Sequence, residues 1–177
     1  NSTGVRCFRI NDSIRAAWGC APGQEDGYLI LGTAGGDIIR GTGRGDIVLA
    51  GAGGDTVRSG AGNDAIWGAG GMDGIYSDAG DDCVNAGALA DQVWGGAGAD
   101  IIHGNSGGDT IRGGTGNDRV YGDDNRDTLY GNAGNDVLFG GRHPDKLYGS
   151  AGNDRLFGGP GDDPVLDGGA GRNTITA

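Results

Sequence analysis

The chain has 177 residues, of which 43 are glycine, and its formal net charge at pH 7 is −11. This length fits one domain, no apolar run is long enough to span a membrane, and an acidic surface disfavours a nucleic-acid partner. A glycine-rich, acidic composition is also typical of disordered chains. Order therefore depends on how the glycines and aspartates are arranged along the chain.

Residues 1–31 lack the nine-residue periodicity of the rest of the chain, and we predict that they cap one end of a repeat domain. Two interpretations apply to Cys7 and Cys20 in this cap. They either form a disulfide, which would stabilise the cap, or remain as buried thiols. Ile30 stands nine residues before the first aliphatic residue of the repeats, so the strand register already begins here.

Residues 32–176 are predicted to form about sixteen nonapeptide repeats. An aspartate recurs at every ninth position without omission: Asp37, Asp46, Asp55, Asp64, Asp73, Asp82, Asp91, Asp100, Asp109, Asp118, Asp127, Asp136, Asp145, Asp154 and Asp163. Two residues after each stands Ile, Val or Leu, from Ile39 to Val165. After a shift of one residue, the pattern closes with Asn173 and Ile175.

Each repeat divides into a glycine-rich half and a strand. Positions 1 to 6 are predicted to turn, because glycine adopts positive φ at no steric cost. Positions 7 to 9 form a short strand whose central aliphatic residue faces inward. Because one such strand cannot bury its side chain alone, the copies must stack. We predict an all-β solenoid with two short-stranded parallel sheets, 18 residues in each coil and about eight coils.

Two clean copies of the motif are Gly-Gly-Ala-Gly-Ala-Asp-Ile-Ile-His at 95–103 and Gly-Gly-Thr-Gly-Asn-Asp-Arg-Val-Tyr at 113–121. The sequence here resembles the RTX, or hemolysin-type, calcium-binding repeats, whose nonapeptide reads G-G-x-G-x-D-x-U-x. The resemblance implies a right-handed parallel β-roll that binds several Ca²⁺ ions between adjacent turns of one edge. It also implies ligands from the Asp carboxylates and from main-chain carbonyls of positions 1 to 4, and bacterial secretion.

The residues themselves favour the same ion. Stacking places aspartates two repeats apart, such as Asp100 and Asp118, about one strand spacing from each other, where their charges repel. A hard cation between the turns would remove this repulsion, and calcium accepts six to eight oxygen ligands in flexible geometry. The alternative is that the aspartates only cap turns. With fifteen of them in register we predict that all are calcium ligands, and that folding is coupled to calcium binding.

The two edges of the roll differ in regularity, counting copies from residue 32. Odd-numbered copies have lost the glycine two residues before Asp at Leu89, Asn125 and His143. Leu and His adopt the left-handed conformation less readily than Asn, so we expect weaker or absent calcium beside Leu89 and His143. Two alternatives explain this edge. It is either a tolerant edge that has drifted or a recognition edge that uses Arg126, Arg142 and His143.

The outward faces carry two further candidate surfaces. Outward-facing residues on the odd-numbered strands form a stripe that ends at Leu166. This stripe is predicted to bind sugar rings or another flat ligand through Tyr76, Trp94, Arg112, Tyr130 and Tyr148. The alternative is that these residues reflect only the usual preference of aromatic and β-branched residues for strands. The even-numbered strands present an apolar face for self-association or a partner, made of Leu49, Trp67, His103, Tyr121, Phe139 and Phe157 beside Ile47, Ala65, Ile101 and Val137.

Catalysis finds little support, because His103 lies at an outward strand position and His143 in a turn, and the carboxylates are explained as ion ligands. We therefore predict a non-enzymatic module. Numerous weak calcium sites fill near millimolar calcium, which predicts a secreted protein. Its role is structural, adhesive or polysaccharide-binding. The alternatives are ice binding through the regular Ala/Thr-Gly-Asn-Asp edge, and a detached repeat module of a secreted enzyme or toxin.

Overall fold

The computed structural model describes residues 6–9 and 27–177, and every regular element within them is a β-strand. None of the described segments is a long apolar helix that could cross a membrane. In chain order the strands are β1 Arg6–Arg9, β2 Tyr28–Leu31, β3 Ile38–Arg40, β4 Ile47–Ala52, β5 Thr56–Arg58, β6 Ala65–Gly70, β7 Gly74–Tyr76, β8 Cys83–Ala88, β9 Gln92–Ala97, β10 Ile101–Ser106, β11 Thr110–Thr115, β12 Arg119–Asp124, β13 Thr128–Ala133, β14 Val137–Arg142, β15 Lys146–Ala151, β16 Arg155–Phe157, β17 Val165–Asp167 and β18 Thr174–Thr176.

These strands form two sheets in which neighbours are alternate strands of the chain. One sheet has ten strands in the order β1-β2-β4-β6-β8-β10-β12-β14-β16-β18, and the other has eight in the order β17-β15-β13-β11-β9-β7-β5-β3. All pairs are parallel except β1 with β2. The register pairs Ile102 with Val120, which is one coil of 18 residues. The predicted all-β solenoid of about eight coils is confirmed.

The core is a column of aliphatic side chains between the two sheets. In β2, β3, β5 and β7 to β16, an aliphatic residue is buried between two neighbours that are at least partly exposed, as in Thr110-Ile111-Arg112. From Ile30 to Leu156 these inward residues are 0 to 2% exposed, so the predicted inward position is confirmed there. The core is one side chain thick, and every layer is completed by the coils above and below it.

The strands in the middle of the roll are longer than predicted. Strands β9 to β15 have six residues, because the chain stays in the sheet through the first three positions of the next repeat. Gly114 shows how this happens: its φ of 125° places a kink inside β11, and its register with Gly96 continues. After these strands the sharp turn is therefore confined to positions 4 to 6, and the prediction of a turn over all six positions was wrong there. The predicted three-residue strand is found in β3, β5, β7 and β16.

The one-residue shift near the C-terminus falls earlier than predicted. Asp163 still matches Asp145 across 18 residues, but the next strand pairs Leu147 with Leu166 rather than with Val165. Leu166 packs against the core. The extra residue is accommodated around Pro164, which has no N–H for a strand ladder. The predictions that Val165 faces inward and Leu166 outward were therefore wrong.

The N-terminal end also differs from prediction on its outer face. Ile47 and Ala65, predicted to be exposed, are 3% and 5% exposed and form a small second cluster with Leu29 and Leu49. β1 extends the same sheet antiparallel to β2. The rest of the predicted cap, including the pairing of Cys7 with Cys20, lies outside the residues whose side chains are described.

Candidate metal centre

The predicted ligand residues form two straight columns, one along each edge of the roll. Column 1 precedes the strands of the eight-stranded sheet and contains Asp37, Asp55, Asp73, Asp91, Asp109, Asp127, Asp145 and Asp163. Column 2 precedes the strands of the ten-stranded sheet and contains Asp46, Asp64, Asp82, Asp100, Asp118, Asp136 and Asp154. From Asp37 to Asp154 all of these residues are buried. A buried row of acids of one sign requires compensation by hydrogen bonds or by cations.

From Asp55 to Asp163, a hydrogen bond from the preceding coil accounts for one oxygen of each carboxylate. The main-chain N–H of Asp100 donates to Oδ1 of Asp118 at 2.9 Å, and the N–H of Asp109 donates to Oδ1 of Asp127 at 2.7 Å. The same bond joins each aspartate to the next one in its column, at 2.6 to 3.0 Å. Oδ1 thus serves a main-chain donor, as the turn-capping alternative requires, but that donor belongs to the preceding coil.

The second oxygen has no such partner along most of both columns. Oδ2 is buried and meets no hydrogen-bond donor among the described residues at Asp55, Asp73, Asp82, Asp91, Asp100, Asp109, Asp118, Asp127, Asp136, Asp145, Asp154 and Asp163. A buried polar atom without a partner costs about 1–3 kcal/mol, and more if it is charged. Turn capping leaves this repeated cost in place, whereas a cation bound to Oδ2 would remove it.

The surroundings of Oδ2 are built from oxygen. A β-carbon placed on Gly140 would lie 2.6 Å from Oδ2 of Asp145 and 2.6 Å from the carbonyl oxygen of Gly158. Glycine at this first position of the repeat therefore leaves a carboxylate and a carbonyl of adjacent coils facing one space. Carboxylate and carbonyl oxygens are the ligands that Ca²⁺ takes. Among residues 27–177, whose side chains are described, no three His, Cys, Asp or Glu side chains gather into a metal site of their own.

The pKa values of the column aspartates reflect the same cost of burying negative charge. Burial raises the pKa of Asp82 and of Asp127 to about 8, and it raises the pKa of Asp91 and of Asp100 to about 7. Neighbouring aspartates of the column raise these pKa values further, while the main-chain N–H donated to each carboxylate lowers them. Each column therefore takes up protons unless another cation neutralises it.

The irregular turns of column 1 keep the geometry of the regular ones. Leu89, Asn125 and His143 adopt left-handed φ angles of 79°, 83° and 81°. Oδ2 of the following Asp91 and Asp145 meets no described donor, as elsewhere in the column. The strain is therefore borne by the backbone of Leu89 and His143. Weaker calcium binding beside these two residues stays a prediction.

The three residues of the predicted recognition edge differ in the contacts that they make within the roll. Arg142 forms an ion pair with Asp124 at 3.3 Å, and Nδ1 of His143 accepts the N–H of Asn125 at 3.1 Å. Arg126 lines an open cleft of about 610 Å³ together with Lys146. Two of the three predicted recognition residues are thus already used within the roll.

The predicted ligand stripe on the eight-stranded sheet forms a continuous stack. Tyr76 lies on Trp94 with ring centroids 4.3 Å apart, and Tyr130 lies on Tyr148 at 4.9 Å. The guanidinium of Arg112 fills the gap, 5.7 Å from the Trp94 centroid and 5.0 Å from that of Tyr130. Inside the stack the ring faces contact each other, and a sugar would meet ring edges. Sugar binding here stays a prediction.

The ten-stranded sheet carries a second stack, His103-Tyr121-Phe139-Phe157, with centroids 4.3 to 4.9 Å apart. On the edge considered for ice binding, Oδ1 of Asn117 accepts the N–H of Asn135, and Oδ1 of Asn135 accepts that of Asn153. These amide oxygens serve the roll itself. Ice binding also stays a prediction.

A family model described as the RTX calcium-binding nonapeptide repeat (4 copies) matches the chain in overlapping segments: residues 31–66, 40–75, 49–82, 60–93, 76–111, 103–138, 112–145, 130–165 and 139–175. Both Asp columns lie inside these segments. A comparison with curated proteins finds no match to the chain.

Proposed function

The chain belongs to the RTX calcium-binding nonapeptide repeat family, and on that premise we propose that it is a β-roll module that folds as it binds Ca²⁺ along both Asp columns. The observation that carries the proposal is the row of buried Oδ2 atoms that meet no donor among the described residues. Bound calcium would supply the positive charge that these oxygens lack. The proposed ligands are the column aspartates, with main-chain carbonyls of the adjoining turns.

The chain's own residues explain why folding would depend on the ion. Each column brings carboxylates within one strand spacing of each other and buries them, while the core offers one aliphatic side chain per strand to offset this cost. Metal binding free energy then contributes directly to folding free energy, because the unfolded chain has no preformed site.

We further propose that the loaded roll works outside the cell as a non-catalytic structural module. Extracellular calcium modules bind with dissociation constants of about 10⁻⁴ to 10⁻³ M, and a ladder of identical sites suits that regime. The two Asp columns and the two outward stacks repeat the same contact from coil to coil, which suits a stiff rod or spacer.

Circular dichroism of the full chain tests the coupling. In chelator near pH 8 the β-sheet signal should be absent, and Ca²⁺ in the millimolar range at the same pH should restore it. Mg²⁺ is the control: it requires shorter, near-octahedral coordination and dehydrates reluctantly, so it should restore little signal at the same concentration. A chain that is equally folded in chelator and in calcium would contradict the proposal.

A further inference from the structure

In the first coil, hydrogen bonds from threonine stabilise the carboxylate oxygens that lack a donor along most of the later coils. Thr33 stands four residues before Asp37, and both its N–H and its hydroxyl donate to Oδ2 of Asp37, at 2.7 and 2.8 Å. Thr42 makes the same two bonds to Oδ2 of Asp46, at 2.7 and 2.9 Å. The oxygen that is without a donor along most of the two columns therefore has two donors here.

Backbone conformation explains the difference. In the later turns the residue four positions before Asp has a left-handed φ, from 66° at Asp78 to 125° at Gly114. Thr33 and Thr42 are outside that region, as expected for β-branched residues, for which it is strongly disfavoured. Their N–H groups can therefore point at the carboxylate of their own turn.

These donors occupy the place that a cation would take. A cation at Oδ2 of Asp37 would displace two short hydrogen bonds and face the positive end of an N–H dipole. Hydrogen bonds to a charged group are stronger than those between neutral groups, so the exchange is unfavourable where the cation site is weak. The charge on this carboxylate is already stabilised without metal.

The far end of column 2 shows a related arrangement. Asn173 continues that column, and its Oδ1 accepts the N–H of Asp154 at 2.8 Å, as an aspartate would. Its Nδ2 donates to the carbonyl oxygen of Gly169 at 3.1 Å. A neutral amide thus keeps the inter-coil bond and brings its own donor in place of the second, charged oxygen.

From these contacts we infer that the first coil is a calcium-independent end of the roll, in which Thr33 and Thr42 take the place of the cation and Asp37 and Asp46 are not calcium ligands. The inference rests on the proposed function and refines it. The ion-binding part of each column begins at the second coil, and column 2 ends at the neutral Asn173.

Calcium stoichiometry of the full chain, measured by equilibrium dialysis, tests this inference. Asp37→Asn should bind the same number of ions as the wild type, whereas the matched variant Asp109→Asn should bind fewer. Equal loss in both variants would overturn the inference. Binding of no calcium by the wild type would instead refute the proposed function, so the two failures are distinguishable.

A gain-of-site variant decides the matter if Asp37→Asn does not fold. Thr33→Gly removes the hydroxyl and permits the left-handed turn, and Gly35 already provides glycine two residues before Asp37. This variant should bind more calcium than the wild type, while Thr33→Ser, which keeps both donors, should bind the same number. An unchanged stoichiometry in a folded Thr33→Gly chain would overturn the inference.

Discussion

The main-chain N–H of Asp100 donates to Oδ1 of Asp118 at 2.9 Å, one coil away, while Oδ2 of the same carboxylate is buried and has no donor within the described part of the chain. The two oxygens of one side chain therefore have separate tasks. Oδ1 accepts the hydrogen bond that joins adjacent coils, and Oδ2 is the oxygen that we propose binds calcium. Substitutions that affect these oxygens differently should separate the two tasks.

Asp118→Asn should impair calcium binding while keeping the inter-coil hydrogen bond, because the amide oxygen can still accept from Asp100. Asp118→Ala removes both functions and leaves the buried N–H of Asp100 without its acceptor. We expect Asp118→Asn to lower stability in calcium by about 2 kcal/mol and Asp118→Ala by roughly 1–3 kcal/mol more. Calcium titration followed by circular dichroism measures both effects. The exposed Asp162 lies outside the columns, so Asp162→Asn is the control. If Asp118→Asn and Asp118→Ala were both as stable as Asp162→Asn, this division of tasks would be contradicted.

The metal-free chain and the calcium-loaded chain should respond to pH in opposite directions. Burial raises the pKa of Asp82 and Asp127 to about 8 and that of Asp109 and Asp136 to about 6, from an ordinary value of 3.8. A carboxyl whose pKa is raised by folding stabilises the fold below its unfolded pKa, and this contribution is lost as pH rises through the folded pKa. Protein stripped of metal should therefore show more β-sheet signal near pH 4 than near pH 9.

In calcium the same pKa shifts act as competition, because protons and Ca²⁺ require the same oxygens. The calcium concentration at half-maximal folding should rise as the pH falls from 8 to 5. Titrations at several pH values measure this directly. A calcium midpoint that is independent of pH over that range would show that the column carboxylates are not the groups that bind the ion.

Leu89 identifies a position where the native residue costs stability. Its φ is 79° although its side chain is exposed, and a left-handed conformation costs an L-residue roughly 1–2 kcal/mol. Leu89→Gly should therefore stabilise the calcium-loaded roll by about 0.5–1 kcal/mol after the larger unfolded-state entropy of glycine is counted. His143→Gly should gain less, since it removes the acceptor of the Asn125 N–H. Thermal melts in saturating calcium compare the variants, and a lower melting temperature for Leu89→Gly would be the contrary result.

The sequence predicts the parts of this structure that depend on period alone. Fifteen aspartates and their aliphatic partners in one register are sufficient to define two columns and a core, because residues 18 apart must stack. Period does not reveal that Val165 and Leu166 exchange roles around Pro164, since both are aliphatic. It also cannot show which carboxylate oxygen is hydrogen-bonded, or that a threonine four residues earlier satisfies the other, because those contacts depend on φ angles.

Arg112 is predicted to stabilise the roll by joining two pairs of stacked rings. Its guanidinium lies between the rings of Trp94 and Tyr130, and each exposed cation–π contact contributes about 0.5–1 kcal/mol. Arg112→Ala should therefore lower stability in calcium by roughly 1–2 kcal/mol, and Arg112→Lys by less, because the ammonium retains charge but not the planar stack. Arg126→Ala, in the open cleft, is the matched control and should leave the melting temperature unchanged. If Arg112→Ala and Arg126→Ala have the same melting temperature, the stripe is not a stabilising stack. Its aromatic side chains would then be better explained by ligand binding than by structure.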